Sequence, residues 1–285
     1  MISPYVRRLR LADEIRSLRQ DAGLTQEQLG RGIGKSRADI SRLESGHTVD
    51  LADVISILEA LGVDGDRWTQ IMTIAREASE TGWWESNKGM GDRQALYANL
   101  EAGAASIRAY EQTFIPGLLQ IPDFVRARVD ASATLEPLAG TVRGMLAGRV
   151  GRQRMLRRPG GPTLEVIVDE VAVYRLAAPM DVVKKQLYHL ASAVNGDSKV
   201  MLRVLPVHAR IAGFTVPRSA YSIYTYPDPD DPEVVAIDTV TSDLILTDKD
   251  QVALYDRMFV RLRDAALTPA ESIDLLTKAA AELDD

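Results

Sequence analysis

The stretch from Leu24 to Gly46, Leu-Thr-Gln-Glu-Gln-Leu-Gly-Arg-Gly-Ile-Gly-Lys-Ser-Arg-Ala-Asp-Ile-Ser-Arg-Leu-Glu-Ser-Gly, leaves the backbone few choices. Thr25 is a good N-cap, Gln28 stands where it completes a capping box, and Leu24 and Leu29 are spaced to staple that helix start. The helix is expected to end near Gly32, with Gly34 supplying the positive φ that a tight turn needs. Ser36 then caps a second short helix, Arg37 to Glu44, which Gly46 stops. Leu29, Ile33, Ile40 and Leu43 fall where two such helices pack on each other, which leaves Arg37, Ala38, Asp39, Ser41 and Arg42 facing outward. A short helix exposing Arg and Ser over its first turns suits insertion into a DNA major groove.

Charge sharpens this expectation. The whole chain carries a net charge of −6, the wrong sign for coating nucleic acid non-specifically. Within residues 31 to 42, however, Arg31, Lys35, Arg37 and Arg42 face only Asp39, so the segment is locally basic. A positive reading face on an acidic body fits sequence-specific recognition. The chain has no Cys, which excludes a disulfide framework, thiol redox sensing and Cys-ligated metal. Arg7, Arg8, Arg10, Asp13 and Glu14 interrupt the first stretch, and no window offers the roughly 18 apolar residues of a membrane span. The expected location is cytoplasmic, on the nucleoid when bound to an operator, with no membrane partner.

The 24 to 46 segment resembles the xenobiotic-response-element family of lambda-repressor-like regulators. The resemblance implies that Gln26 touches the DNA backbone and braces the next helix. It implies that Arg37, Ala38 and Asp39 read bases, with flanking contacts from Ser41 and Arg42; Lys35 and Ser36 complete the expected DNA-binding set. Asp39 brings a negative charge close to phosphates and needs a partner, either cytosine N4 or Arg42 one turn on. Where many relatives carry a basic, Pro-containing run after the glycine, this chain has His47-Thr48-Val49-Asp50.

A chain of 285 residues is long enough for two domains. The first is expected over residues 1–80, as an all-α, five-helix repressor-like bundle. Its helix one covers Tyr5 to Ala22, with Leu9, Ala12, Ile15 and Leu18 on one face; Leu51 to Leu61 and Asp66 to Ser79 supply the last two helices. Thr81-Gly82 and Ser86 to Gly91 read as linker, set at 81–93. Residues 94–285 then predict an α+β domain with a small, mostly antiparallel sheet. Helices are expected over Gln94 to Glu111, Asp123 into the 130s, Thr141 to Arg158, Met180 to Val194, Asp248 to Ala266 and Pro269 to Leu283. Strands are expected over Thr163 to Val168, Val200 to Leu205, Ala220 to Tyr226, Val234 to Thr239 and Leu244 to Thr247. Thr268-Pro269-Ala270-Glu271 is a capping box with Pro in the first turn.

Trp83-Trp84, Tyr97, Leu100-Glu101-Ala102, Ala105 to Arg108, Tyr110-Glu111 and Ile115-Pro116-Gly117-Leu118-Leu119-Gln120 run in order through this second region. Arg152-Gln153, Asp169-Glu170, Gln186-Leu187, Val204-Leu205-Pro206, Gly213-Phe214 and Leu267 to Ser272 follow. Together they resemble the C-terminal domain of actinobacterial, WhiJ-like developmental regulators. That resemblance implies an antitoxin-like context, with a small partner protein encoded nearby, and little chemistry. Two readings follow. One is a homodimeric regulator on a double-stranded operator, whose second domain dimerises and senses a ligand or small protein. The other is an antitoxin-like module that sequesters a partner and autoregulates its operon.

Enzymatic readings find little support, and none is expected. Gly30 to Ser36 looks like the end of a phosphate loop, but the leading glycine position holds Leu29 and no strand precedes it. His47, His189 and His208 stand alone, so neither metal nor cofactor is expected. Asp169-Glu170 lacks a companion nucleophile and is better placed to cap the next element. Trp83-Trp84 is expected to anchor the linker into the second domain's core. Arg143, Arg149, Arg152, Arg154, Arg157 and Arg158 occur with no acid between Glu136 and Glu165. Arg149, Arg152, Arg154 and Arg157 are therefore a candidate surface for an anion or an acidic partner, the alternative being a helix face paired with carboxylates of its own domain.

Overall fold

The computed structural model describes residues 2–48, 50–135, 137, 139–196 and 199–284. Met1, Val49, Glu136, Leu138, Asp197, Ser198 and Asp285 lie outside the described residues, as does the side chain of Val194, expected in register on its helix. The chain divides into two compact units, Met1–Ser86 with Tyr226–Pro232, and Asn87–Thr225 with Glu233–Asp285.

The first unit is helical: α1 Pro4–Asp21, α2 Gln26–Gly32, α3 Arg37–Leu43, α4 Leu51–Ala60, α5 Gly65–Ala78 and the single turn α6 Trp83–Ser86. Pro4 sits in the first turn of α1, where its missing N–H costs nothing, and Ser3 Oγ accepts from Val6 N at 3.2 Å. The core joins Leu11 and Ile15 of α1 to Leu29, Ile40, Val54, Ile57, Leu58, Ile71 and Ala75, all essentially without exposure. Each large aliphatic side chain so buried contributes about 1.5–3 kcal/mol. Trp84 is buried, with its ring folded over Gly82. Segment Tyr226–Pro232 belongs to the same unit: Arg7 holds Asp228 and Asp231 at 2.9 Å each, and Arg10 holds Asp228 at 2.7 Å.

The second unit runs α7 Asp92–Gly103, β1 Ser106–Glu111, α8 Pro122–Ser132, α9 Val142–Arg157, β2 Thr163–Asp169, α10 Glu170–Tyr174, α11 Met180–Gly196 and β3 Val200–Leu205. It continues with β4 Tyr221–Thr225, β5 Val234–Asp238, β6 Asp243–Leu246, α12 Lys249–Ala265 and α13 Pro269–Ala281. Its sheet is not the small, mostly antiparallel one that the strand signals predict. Six strands lie in the order β3-β2-β1-β4-β5-β6; β1, β2 and β3 are mutually parallel and the remaining pairs antiparallel. The cause is the helical connections, α8–α9 between β1 and β2 and α10–α11 between β2 and β3, which return the chain to the same end of the sheet.

The sixth strand is β1, which the sequence reading continues as helix to Glu111. The helix ends instead at Gly103, and Ser106–Glu111 pairs with β2 on one side and β4 on the other. One face of the sheet, Tyr110, Ile167, Tyr221, Ile223, Val235 and Ile237, is covered by Val252, Phe259 and Leu262 of α12. Gln186, wholly buried, donates to Leu119 O and accepts from Ile121 N at 2.8 Å each, fixing the Ile115–Ile121 segment after β1. Thr268 and Glu271 form the expected capping box of α13, and Ser272 Oγ accepts from Val204 N at 2.9 Å on β3. Asp169 caps α10 through Val171 N at 3.0 Å and accepts from the Tyr110 hydroxyl at 3.1 Å. Among the described residues no helix is long and apolar enough to cross a membrane.

Candidate nucleic-acid interface

Two reciprocal caps set the geometry of α2 and α3. Thr25 Oγ1 accepts from Gln28 N at 3.2 Å while Gln28 Oε1 accepts from Thr25 N at 2.8 Å. Ser36 Oγ accepts from Asp39 N at 3.2 Å, and Asp39 Oδ2 accepts from Ser36 N at 3.0 Å and from Ser36 Oγ at 2.7 Å. Between the caps Gly34 takes φ +72°. A side chain at Gly30 would meet Lys35 O at 2.7 Å, so only glycine lets the turn fold back on α2. Ile40 and Leu43 are thereby buried against Leu29.

Gln26 is fixed by a network buried at the rear of α2 and α3. Its Nε2 donates to Glu44 Oε2 at 2.9 Å. Glu44, the C-cap residue of α3, is 2% exposed and also accepts from Arg19 of α1, Nε to Oε1 at 2.5 Å and Nη2 to Oε2 at 3.0 Å. Burial works to raise the Glu44 carboxyl, but the bonds from Arg19 and Gln26 outweigh it and hold it below the ordinary range. Sequence reasoning passed over Arg19 and Glu44. Their signal was slight: one arginine in the last turn of a helix, one acid where a helix stops.

Asp39 finds its partners within the chain. Besides the cap, its Oδ1 accepts from Arg42 Nη2 at 2.5 Å, and these bonds, Ser36 first, hold its carboxyl down at about 2. Both oxygens are engaged, so of the two partners the sequence reading offers, Arg42 is the one present. Arg31 pairs with Glu27, and Lys35 with Asp53 at 2.7 Å, which raises the Lys35 ammonium. Three of the four basic residues of the motif thus already have partners. Arg37 is exposed at the first turn of α3, next to exposed Ala38, and among the described residues it makes no hydrogen bond or ion pair. Ser41, half-buried, lies one turn further along, and Arg42 is exposed beside it.

The arginines of α9 do not form one surface. Arg152 is buried and forks onto Glu101 of α7, Nε to Oε2 at 2.9 Å and Nη2 to Oε1 at 2.5 Å. Arg149 is half-buried with its guanidinium against Gly117. Both therefore leave the proposed anion or partner surface, because the α7–α9 packing turns their side of the helix inward. Arg154 and Arg157 are exposed and stay on it. His189 on α11 is held below its usual value by burial first and then by Arg157, as suits a packed neutral imidazole.

Comparison with known proteins divides the chain at the same region. A helix-turn-helix domain model matches residues 10–68. A model described as "Domain of unknown function (DUF5753)" matches residues 94–278. No curated protein and no solved structure matches the chain. The first unit is a helix-turn-helix domain, the type that binds DNA in regulators. With most of its length covered by the second match, the chain belongs to the DUF5753 family and carries a helix-turn-helix domain ahead of that domain.

Proposed function

We propose that the protein is a sequence-specific transcriptional regulator. A homodimer places two copies of α3 in successive major grooves of a palindromic operator, and the DUF5753 domain supplies the dimer interface and receives a signal. The observation that carries this reading is Arg37. It is the basic residue left unpaired on the exposed face of α3, held there by two capping boxes and a glycine turn. Arg at such a position pairs bidentately with guanine O6 and N7. Ala38 leaves room for the base edge, Ser41 and Arg42 flank it, and Gln26, Lys35 and Ser36 meet phosphates. Exposed ion pairs such as Lys35–Asp53 and Arg42–Asp39 are weak, so phosphates can displace their acids. The working place is the cytoplasm, on the nucleoid, and no catalytic role is assigned. Selection of binding duplexes from a randomised pool by the full chain tests the reading: enrichment of a two-fold symmetric site supports it, and failure to enrich any sequence at moderate salt contradicts it.

An antitoxin-like role, in which the second unit captures a small protein encoded nearby, has its own observation. Tyr174, Leu176 and Val207 are exposed and line one depression with Glu170, Val171 and Arg175. Apolar side chains gathered at a surface suit a protein partner better than solvent. The resemblance to WhiJ-like actinobacterial regulators supports the same context. Co-purification from the native host, followed by mass spectrometry, tests it: a stoichiometric small protein lost on Leu176→Asp supports capture.

A further inference from the structure

The sheet has β3 at one edge and β6 at the other, and the fold treats the two differently. A bare strand edge offers unpaired N–H and C=O groups to any extended chain, so proteins blunt it with lysine, proline, a bulge or a covering segment. At β3 the cover is present. Val204 donates its N–H to Ser272 Oγ at 2.9 Å and its carbonyl accepts from Leu267 N at 2.9 Å. Arg203 Nη1 adds a bond to Leu267 O at 3.3 Å. The turn into α13 therefore closes that edge.

At β6 nothing comparable is found among the described residues. Thr239 N donates to Ser242 O at 3.1 Å across the β5–β6 hairpin, and Asp238–Asp243, Ile237–Leu244, Ala236–Ile245 and Val235–Leu246 continue that register. Bonded and non-bonded pairs alternate along an antiparallel ladder, so Leu244 and Leu246 bond to β5. The N–H and C=O groups of Asp243, Ile245 and Thr247 then point outward, and among the described residues no hydrogen bond reaches them across that edge. The stretch holds neither Lys nor Pro, and its pairing with β5 has no bulge. Its one acid, Asp243, is turned onto Arg93 at 3.3 Å with its side chain only 13% exposed, so it does not repel a second strand. Leu244 stands opposite Ile237 on the face that α12 covers, yet is itself 50% exposed.

We propose that β6 is a homotypic pairing edge, on which a second copy of the chain adds its own β6, antiparallel about a twofold axis at Ile245. The register selects this occupant. An axis at Ile245 sets Asp243 opposite Thr247 of the second copy, and Leu244 opposite its Leu246. Outward groups then meet outward groups along the whole strand, each exposed Leu244 gains an apolar neighbour, and no carboxylate faces another. An antiparallel pair is also the arrangement that a twofold axis across the strands generates. With the β3 edge closed by Leu267 and Ser272, neither copy has a second edge to offer, so association stops at two. The inference names the surface of the dimer in the proposed function; it rests on that dimer and not on the reading of DNA.

The test combines light scattering of the full chain at micromolar concentration, without DNA, with amide hydrogen exchange. The expected parent is a dimer in which the Asp243, Ile245 and Thr247 amides exchange slowly. Leu244→Lys sets a charge on the pairing edge and is expected to raise the dissociation constant at least about tenfold. It should also release those three amides, while the Leu246 amide, bonded to β5, stays protected. Ile245→Pro removes an N–H that β5 does not use and is expected to act alike. Where that variant fails to fold, Leu244→Lys with an unchanged circular dichroism spectrum carries the test. Val240→Lys, at the exposed hairpin tip outside the paired stretch, is expected to leave the dimer intact. A monomeric parent overturns the proposal, and the dimer of the proposed function with it; the edge then suits an extended segment of another protein. A dimer whose affinity survives Leu244→Lys, with fast exchange at Ile245, overturns the β6 pairing alone and leaves the regulator standing. Masses above the dimer also overturn it, since they require a second open edge.

Discussion

Gln26 Nε2 donates to Glu44 Oε2 at 2.9 Å, so the first residue of α2 is tied to the residue that closes α3. The same carboxylate takes both arms of Arg19 from α1. The side chain expected to touch the DNA backbone is therefore positioned by the rear of the reading helix.

Glu44→Gln is expected to destabilise the first unit by about 3 kcal/mol. The mutation leaves the Arg19 guanidinium, about one-tenth exposed, without its counter-charge, and unpairing a buried ion costs far more than an exposed bridge is worth. Denaturant unfolding of residues 1–86 within the full chain, followed by Trp fluorescence, measures it. A change under about 0.5 kcal/mol contradicts the buried-network account.

The caps make a separable prediction. Asp39→Asn keeps a capping acceptor but loses the Arg42 ion pair, whereas Asp39→Ala loses both. The Ala variant is expected to lower stability more than the Asn variant, because it also loses the reciprocal half of the capping box. The carboxyl is held at about 2, below its unfolded value near 3.8, so its contribution is present above the unfolded value and disappears as pH falls through about 2. The difference between Asp39→Asn and the parent should accordingly vanish in acid unfolding experiments below that pH.

The caps, glycine stops and apolar spacing of the first unit are legible in the sequence because each is settled within one or two helical turns. β1 is not. Ala105 to Glu111 follows a helix without Pro or Gly at the boundary other than Gly103, and it alternates Ile107 and Ala109 with Arg108 and Tyr110, a pattern weak for either period. It is a strand because β2 and β4 pair with it on both sides, which is tertiary information. Arg152 shows the same limit: its partner Glu101 lies 51 positions away, so the arginine run reads as a surface until the helices are packed.

The α9 arginines should now behave as two sets. Arg154→Glu with Arg157→Glu is expected to change stability by under about 1 kcal/mol, since both are exposed. Arg152→Glu places like charge against buried Glu101 and is expected to cost about 3–5 kcal/mol or prevent folding. Thermal melts of the variants decide it. Equal tolerance of both changes contradicts the buried pairing.

Glu111 gives a pH dependence of the opposite sign to Asp39. Its folded carboxyl titrates at about 8, above the ordinary value of 4.5, so ionisation disfavours the fold. The penalty is absent below about pH 4, grows as pH rises towards 8 and is complete above it. The raising causes are burial and Asp238; Arg149 and Arg152 oppose them. Glu111→Gln should therefore raise the melting temperature of the protein more at pH 8.5 than at pH 5, on the order of a few degrees. A larger gain at the acidic pH contradicts the assignment.

Oligomeric state follows from the size of α3. Seven residues contact too few base pairs for tight operator binding unless symmetry doubles them. Light scattering at micromolar concentration should give twice the 31.3 kDa chain mass, with or without operator.

The central claim is that Arg37 reads a base. The most direct measurement is fluorescence anisotropy of the parent and Arg37→Ala on the selected operator and on a scrambled duplex, at one fixed salt concentration. The account predicts a loss of about 1–3 kcal/mol on the operator, little change on the scrambled duplex, and relaxed preference at one base pair per half-site. Undiminished operator affinity, or an equal loss on both duplexes, would contradict it.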